Sequence, residues 1–233
     1  KRTTSSGNIA VGDEEVVRFM HFINGFNQIF INSEDQVISE KYAEIRKFLK
    51  DKKDGDMDTR DILTIKGLIR RGEARTACTY NNIPLERCHF LDLPFYETGK
   101  IQKNPISEAD VEIVRNLLRE VKPHQIFVAG DLADPHGTHR VCTDAVFAAV
   151  DLEKEEGAEW LKDCRIWMYR GAWAEWEIEN IEMAVPISPE ELRAKRNSIL
   201  KHQSQMESAP FLGNDERLFW QRSEDRNRGT RSE

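Results

Sequence analysis

Two histidines three residues apart, set among carboxylates and an arginine, occupy the run Asp131-Leu-Ala-Asp134-Pro-His136-Gly-Thr-His139-Arg140. An imidazole titrates near neutrality, so it can ligate a metal, donate a proton or stabilise an oxyanion. Residues at i and i+3 on a helix are neighbours, which lets His136 and His139 address one reacting group. A catalytic zinc takes three protein ligands and keeps one position for water, so the pair does not complete a shell by itself. The same spacing also suits a plain helix start, with Asp131 and Asp134 capping backbone N–H groups and the histidines bonding the loop.

The elements around the run decide how it is presented. The apolar segment Gln125 to Gly130 reads as a buried strand, and Val141 to Val150 reads as a helix. In an open parallel sheet the ligand crevice lies outside the carboxyl ends of the strands, which is where this run falls. Upstream, Cys88 to Phe95 alternates apolar and polar residues and predicts a strand. Ser107 with Glu108 and Asp110 opens a helix that Lys122-Pro123 closes. Strand, helix, strand predicts an α/β fold with a mostly parallel sheet.

Three helices come first, over Asp13 to Gln28, Glu34 to Lys50 and Thr59 to Tyr80, the last with Ile62, Ile65 and Ile69 near one face. Beyond the histidines, Asp151 to Glu156 reads as a solvated acidic segment, and Arg165 to Tyr169 and Ile178 to Ile187 as strands. Ser188, Pro189 and Glu191 form a capping box that starts a helix to about Gln205. The expected organisation is one domain over residues 1–212 and a polar, partly helical segment over 213–233.

At 233 residues, 39% hydrophobic and 32% charged, the chain carries enough apolar residues for an ordinary core. Its net charge of -7 argues against nucleic acid as a partner. No apolar run approaches the roughly 18 residues that a membrane span needs, and the first residues lack the pattern of a signal peptide. The four cysteines, Cys78, Cys88, Cys142 and Cys164, have neither zinc-ribbon spacing nor the density of a disulfide scaffold, so free thiols and a cytoplasmic location are expected.

Longer stretches carry a resemblance. Arg70-Arg-Gly-Glu73 leading to Phe90-Leu-Asp-Leu93, then Val128-Ala-Gly-Asp131 with Asp134-Pro-His136-x-x-His139-Arg140, then Lys195 to Gln205 with His202-Gln-Ser-Gln205, follow one another in a fixed order. That succession resembles the PIG-L/LmbE-type N-acetylglucosaminyl deacetylases. The segments Ser6-Gly-Asn-Ile-Ala-Val11, Ala129 to Arg140 and Tyr169-Arg-Gly-Ala-Trp173 are more similar to the deacetylase-like module of two-module bacterial proteins labelled glucosamine-6-phosphate deaminases. The resemblance implies a three-layer, Rossmann-like sheet with helices on both faces, here without its N-terminal strand.

It also implies chemistry. His139 matches a ligand to a divalent metal, usually Zn2+, and His136 matches the histidine that stabilises the oxyanion or acts as general acid. Asp134 or Asp131 could orient the first histidine, and Arg70 could meet a substrate hydroxyl or phosphate through its forked donors. The substrate implied is an amino sugar or sugar phosphate, and a homo-oligomer is a possible assembly. Two departures stand out: no H-P-D-D/E element occurs in these residues, and Gly137-Thr138 replaces the middle of the family's H-P-D-H. The expectation is therefore a truncated, inactive module that holds zinc weakly at best, or else a non-catalytic sugar-phosphate-binding or assembly domain. Trp173 and Trp176 could stack on a sugar or simply pack on the sheet, and His202 reads as structural.

Overall fold

The computed structural model describes residues 11–53, 55–96, 104–130, 137–170, 176–206 and 217–232. They form a mixed α/β chain that divides into two compact units. The first holds residues 1–88 and 200–207, the second residues 89–199 and 208–233.

The first unit is helical: α1 (Val11–Phe30), α2 (Asp35–Asp51) and α3 (Arg60–Tyr80). Each carries apolar residues at helical spacing. Phe22, Phe26, Ile29 and Phe30 on α1 meet Ile38, Ile45 and Phe48 on α2 and Ile62, Ile65 and Ile69 on α3. The aromatic rings interlock, with Phe26 and Phe30 at 4.7 Å between centroids and Tyr42 edge-on to Phe26 at 6.0 Å. Thr59 caps α3 by accepting the Ile62 N–H. Asp58 beside it takes Lys52 Nζ at 2.6 Å and Lys66 Nζ at 2.5 Å, which fastens the loop between α2 and α3.

The second unit contains the strands. Ser107 and Asp110 form a reciprocal capping box at the start of α4 (Glu108–Val121). Asp110 is fully buried because it also accepts the Phe95 N–H at 2.8 Å, tying the preceding loop to the helix. Lys122 ends α4 in the left-handed region at φ 46, donating to Leu118 O, and the chain turns into β1 (Gln125–Ala129). Helix α5 (Thr138–Glu155) follows, then β2 (Arg165–Tyr169), which pairs with β1 in parallel, Gln125 opposite Arg165 through Ala129 opposite Tyr169. Val114 and Leu118 pack on Ala145 and Ala149 between α4 and α5, with Ile126 against them. The unit also includes α6 (Pro189–Ile199) and α7 (Phe219–Ser232). Glu224 on α7 is buried under Arg196, whose guanidinium lies 4.5 Å from the centre of the Trp220 ring.

Four local expectations change. Cys88 to Phe95 forms no strand: a short 3-10 turn occupies Leu85–Arg87 and Asp92 takes φ 50, which breaks the extended run. Leu91 and Leu93 still point into the α4/α5 core, so the alternation marked burial and not pairing. Ile178 to Ile187 starts with a 3-10 turn and joins no ladder, and the helix after Ser188 stops at Ile199 and gives way to a 3-10 turn over Gln203–Gln205. The acidic stretch from Asp151 belongs to α5 as far as Glu155, and its Glu153 is buried. Both Arg115 Nε and Arg119 Nε lie 2.6 Å from Glu153 Oε1, so the acid is a cross-helix ion pair rather than a solvated face.

Candidate functional site

The carboxyl ends of the two strands are built tightly. Gly130 extends the pairing by one bond, its N–H reaching Tyr169 O at 2.7 Å. A Cβ at that position would stand 2.9 Å from the Trp176 ring and 3.0 Å from Met168 Cβ, so glycine is required by the close approach. Trp176 donates its indole N–H to Met168 O at 2.9 Å, and the Arg170 guanidinium stacks on its ring at 4.1 Å. That arrangement assigns Trp176 to packing; Trp173 lies outside the described residues. Thr143 Oγ1 donates to Ala129 O at 2.8 Å and pins α5 to the end of β1.

His139 stands on the first turn of α5, exposed to solvent. Gly137, the residue before that helix, has φ 66, a left-handed conformation that glycine adopts without strain. The departure at this position therefore has a backbone reason: the proline that H-P-D-H places here cannot take a positive φ. Arg140 Nε lies 4.0 Å from Asp144 on the outer face of the helix. His136, Asp134 and Asp131 lie outside the described residues, so His139 is described without them. Among the described residues no group of three or more His, Cys, Asp or Glu side chains is placed to hold a metal ion. All four cysteines are free thiols.

Arg70 is exposed on α3, in the first unit, while Glu73 one turn further is 2% exposed. Glu73 accepts two hydrogen bonds from Ser204, from its N–H at 2.7 Å and from its hydroxyl at 2.6 Å. His21 Nδ1 lies 3.8 Å from the same carboxylate. The glutamate of the R-x-x-E stretch and the serine of the H-x-S-Q stretch, 131 residues apart, therefore meet. His202 sits just before the 3-10 turn, where its backbone carbonyl accepts the Gln205 N–H at 3.0 Å. The pairing has a signal in the sequence: Glu73 continues the α3 stripe of Ile62, Ile65 and Ile69, and an acid on an apolar stripe needs a buried partner.

The family model described as PIG-L, GlcNAc-PI de-N-acetylase, matches residues 18–150, more than half of the chain. A Bacteroides thetaiotaomicron protein named as glucosamine-6-phosphate deaminase-like is 95% identical over 226 residues, covering 97% of this chain and 34% of its own length. The chain thus spans about a third of that relative. No solved structure matches.

Proposed function

Because the chain belongs to the PIG-L family, we propose that it is a module of an amide-hydrolysing protein that removes the acetyl group from an N-acetylated amino sugar. The observation that carries the reading is the family match over residues 18–150, which takes in α3 with Arg70, strand β1 and the start of α5 with His139. Hydrolysis adds water across the amide and releases acetate and the free amine. An anionic tetrahedral intermediate lies between, and the N-terminus of a helix favours negative charge near it. His139 is held at such an end by the Thr143 bond to Ala129 O, on a junction stiffened by Gly130 and Trp176.

In this reading His139 supplies one ligand to a divalent metal, zinc by family habit. His136 stabilises the oxyanion or protonates the leaving amine, with Asp134 orienting it, and Arg70 contacts substrate. A working zinc site needs two more protein ligands beyond His139. The 233 residues contain no H-P-D-D/E element, so they are expected to release no acetate by themselves. The natural setting is cytoplasmic amino-sugar metabolism; among the described residues no helix is long and apolar enough to cross a membrane.

The test is acetate release from N-acetylglucosamine and its 6-phosphate by the full-length Bacteroides relative, with and without a chelator. Metal-dependent release that His139→Ala abolishes supports the reading; no release under any metal condition overturns it. A second reading has its own observation, Gly137-Thr138 in place of the middle of H-P-D-H. There the module binds a sugar phosphate or mediates assembly without turnover, and calorimetry with glucosamine-6-phosphate separates the two.

A further inference from the structure

Two cysteines meet where the chain leaves the first unit. Cys78 lies on the last turn of α3, and Cys88 directly follows the 3-10 turn Leu85–Arg87. The chain doubles back between them. Cys78 O accepts the N–H groups of Asn81 at 3.0 Å and Ile83 at 2.9 Å, and Asn82 takes φ 59, a left-handed conformation that asparagine tolerates. The Cys88 N–H then reaches Leu85 O at 3.0 Å, and Cys88 Sγ lies 3.5 Å from Pro84 O. This return brings the two thiols into hydrogen-bond contact with each other. Both are half-buried, so a small reagent can reach them. Cys88 is the last residue of the first unit before the chain passes into the second.

We propose that Cys78 and Cys88 are a modification site, a thiol pair that a hydroperoxide converts to a reversible intramolecular disulfide. With hydrogen peroxide, one thiolate attacks a peroxide oxygen and breaks the O–O bond, leaving a sulfenic acid and, after protonation, water. The second sulfur attacks the first, forms the S–S bond and expels the hydroxyl as another water. Two thiols and one peroxide give one disulfide and two waters; the sulfurs lose two electrons and the peroxide oxygens gain them. Cys142 on α5 and Cys164 before β2 belong to the second unit and serve as internal controls. Burial and the neighbouring Cys78 thiol push the Cys88 thiol above its ordinary value; Glu86 adds to this and Arg75 opposes it. Less thiolate at neutral pH makes the pair a lock set by sustained exposure rather than a fast sensor. The bond would fasten the turn after α3 and remove freedom from the unfolded chain. It does not rest on the deacetylase reading.

The experiment treats the folded, reduced 233-residue protein with hydrogen peroxide, alkylates the remaining thiols and maps the peptides without reduction. The expected product links the peptide of Cys78 to that of Cys88, lighter by two hydrogens, with titratable thiols falling from four to two and returning on treatment with dithiothreitol. Circular dichroism should stay native, and the urea midpoint of the oxidised protein should rise. Cys78→Ser and Cys88→Ser should each abolish the link, and Cys142→Ser should leave it intact; the map of the parent decides the matter should a variant not fold. The proposal is overturned if no such link forms, if it forms only in urea, if either cysteine pairs elsewhere or with a second chain, or if oxidation runs on to sulfinic acid without a disulfide.

Discussion

The two units use their motif residues in opposite ways. In the first, the buried Glu73 turns inward and accepts two hydrogen bonds from Ser204, so the residues that carry a family resemblance there maintain the fold. In the second, the structural work falls to Thr143, Gly130 and Trp176, and the motif residue His139 is left exposed on the first turn of α5. A motif therefore identifies a family before it identifies a site. Burial and partners decide whether a given residue holds the chain or faces a ligand.

Substitutions can break that contrast. The largest effect is expected in the second unit from Glu153→Ala, which strands Arg115 and Arg119 between α4 and α5. The loss should be about 3 kcal/mol, the low end for a broken buried pair because Glu156 stays within reach of both arginines. Urea unfolding followed by tryptophan fluorescence reads it, since every tryptophan of the chain belongs to the second unit. A loss under about 1 kcal/mol would mean that the pair behaves as a surface ion pair. Next, Glu73→Gln should cost about 2 kcal/mol by replacing a carboxylate that accepts two hydrogen bonds, read from far-ultraviolet circular dichroism. A neutral result there would remove the inward role assigned to the first unit's motif. Ser107→Ala, which removes one half of the α4 capping box, should cost about 1 kcal/mol.

Acid acts on both units with the same sign. Burial pushes Asp110 and Glu153 up, but hydrogen bonds outweigh it. For Asp110 they come from Ser107 and backbone N–H groups, for Glu153 chiefly from Arg115 and Arg119, and both carboxyls end below their ordinary values. Asp58 follows the same pattern in the first unit, where two lysines overcome its burial. A carboxyl with a lowered folded value binds fewer protons folded than unfolded, so its contribution is complete above the usual carboxylate range of about 4 and is lost as pH falls below it. Urea midpoints should thus be flat from pH 7 to about 5 and fall steeply beneath about 4. Glu153→Ala should flatten the fall seen by fluorescence.

Much of the fold was legible because it is local. Three early helices, the Ser107 and Ser188 caps, and strands at Gln125–Ala129 and Arg165–Tyr169 follow from periodicity and capping chemistry. The misreadings share one cause. Cys88 to Phe95 carries strand-like alternation, yet pairing depends on a neighbour and on backbone angles that Asp92 refuses. The burial of Glu153 depends on arginines 38 and 34 residues away, which no local pattern displays. At the site, the strand end and the position of His139 were readable, whereas the meeting of Glu73 with Ser204 required the fold.

The central claim is that His139 is held by the fold and does not hold it. His139→Ala in the full-length relative, assayed together for acetate release from N-acetylglucosamine and for its unfolding midpoint, tests this most directly. The account predicts that metal-dependent release disappears while stability changes by less than about 0.5 kcal/mol. Unchanged release, or a loss of activity matched by a loss of stability, would contradict it.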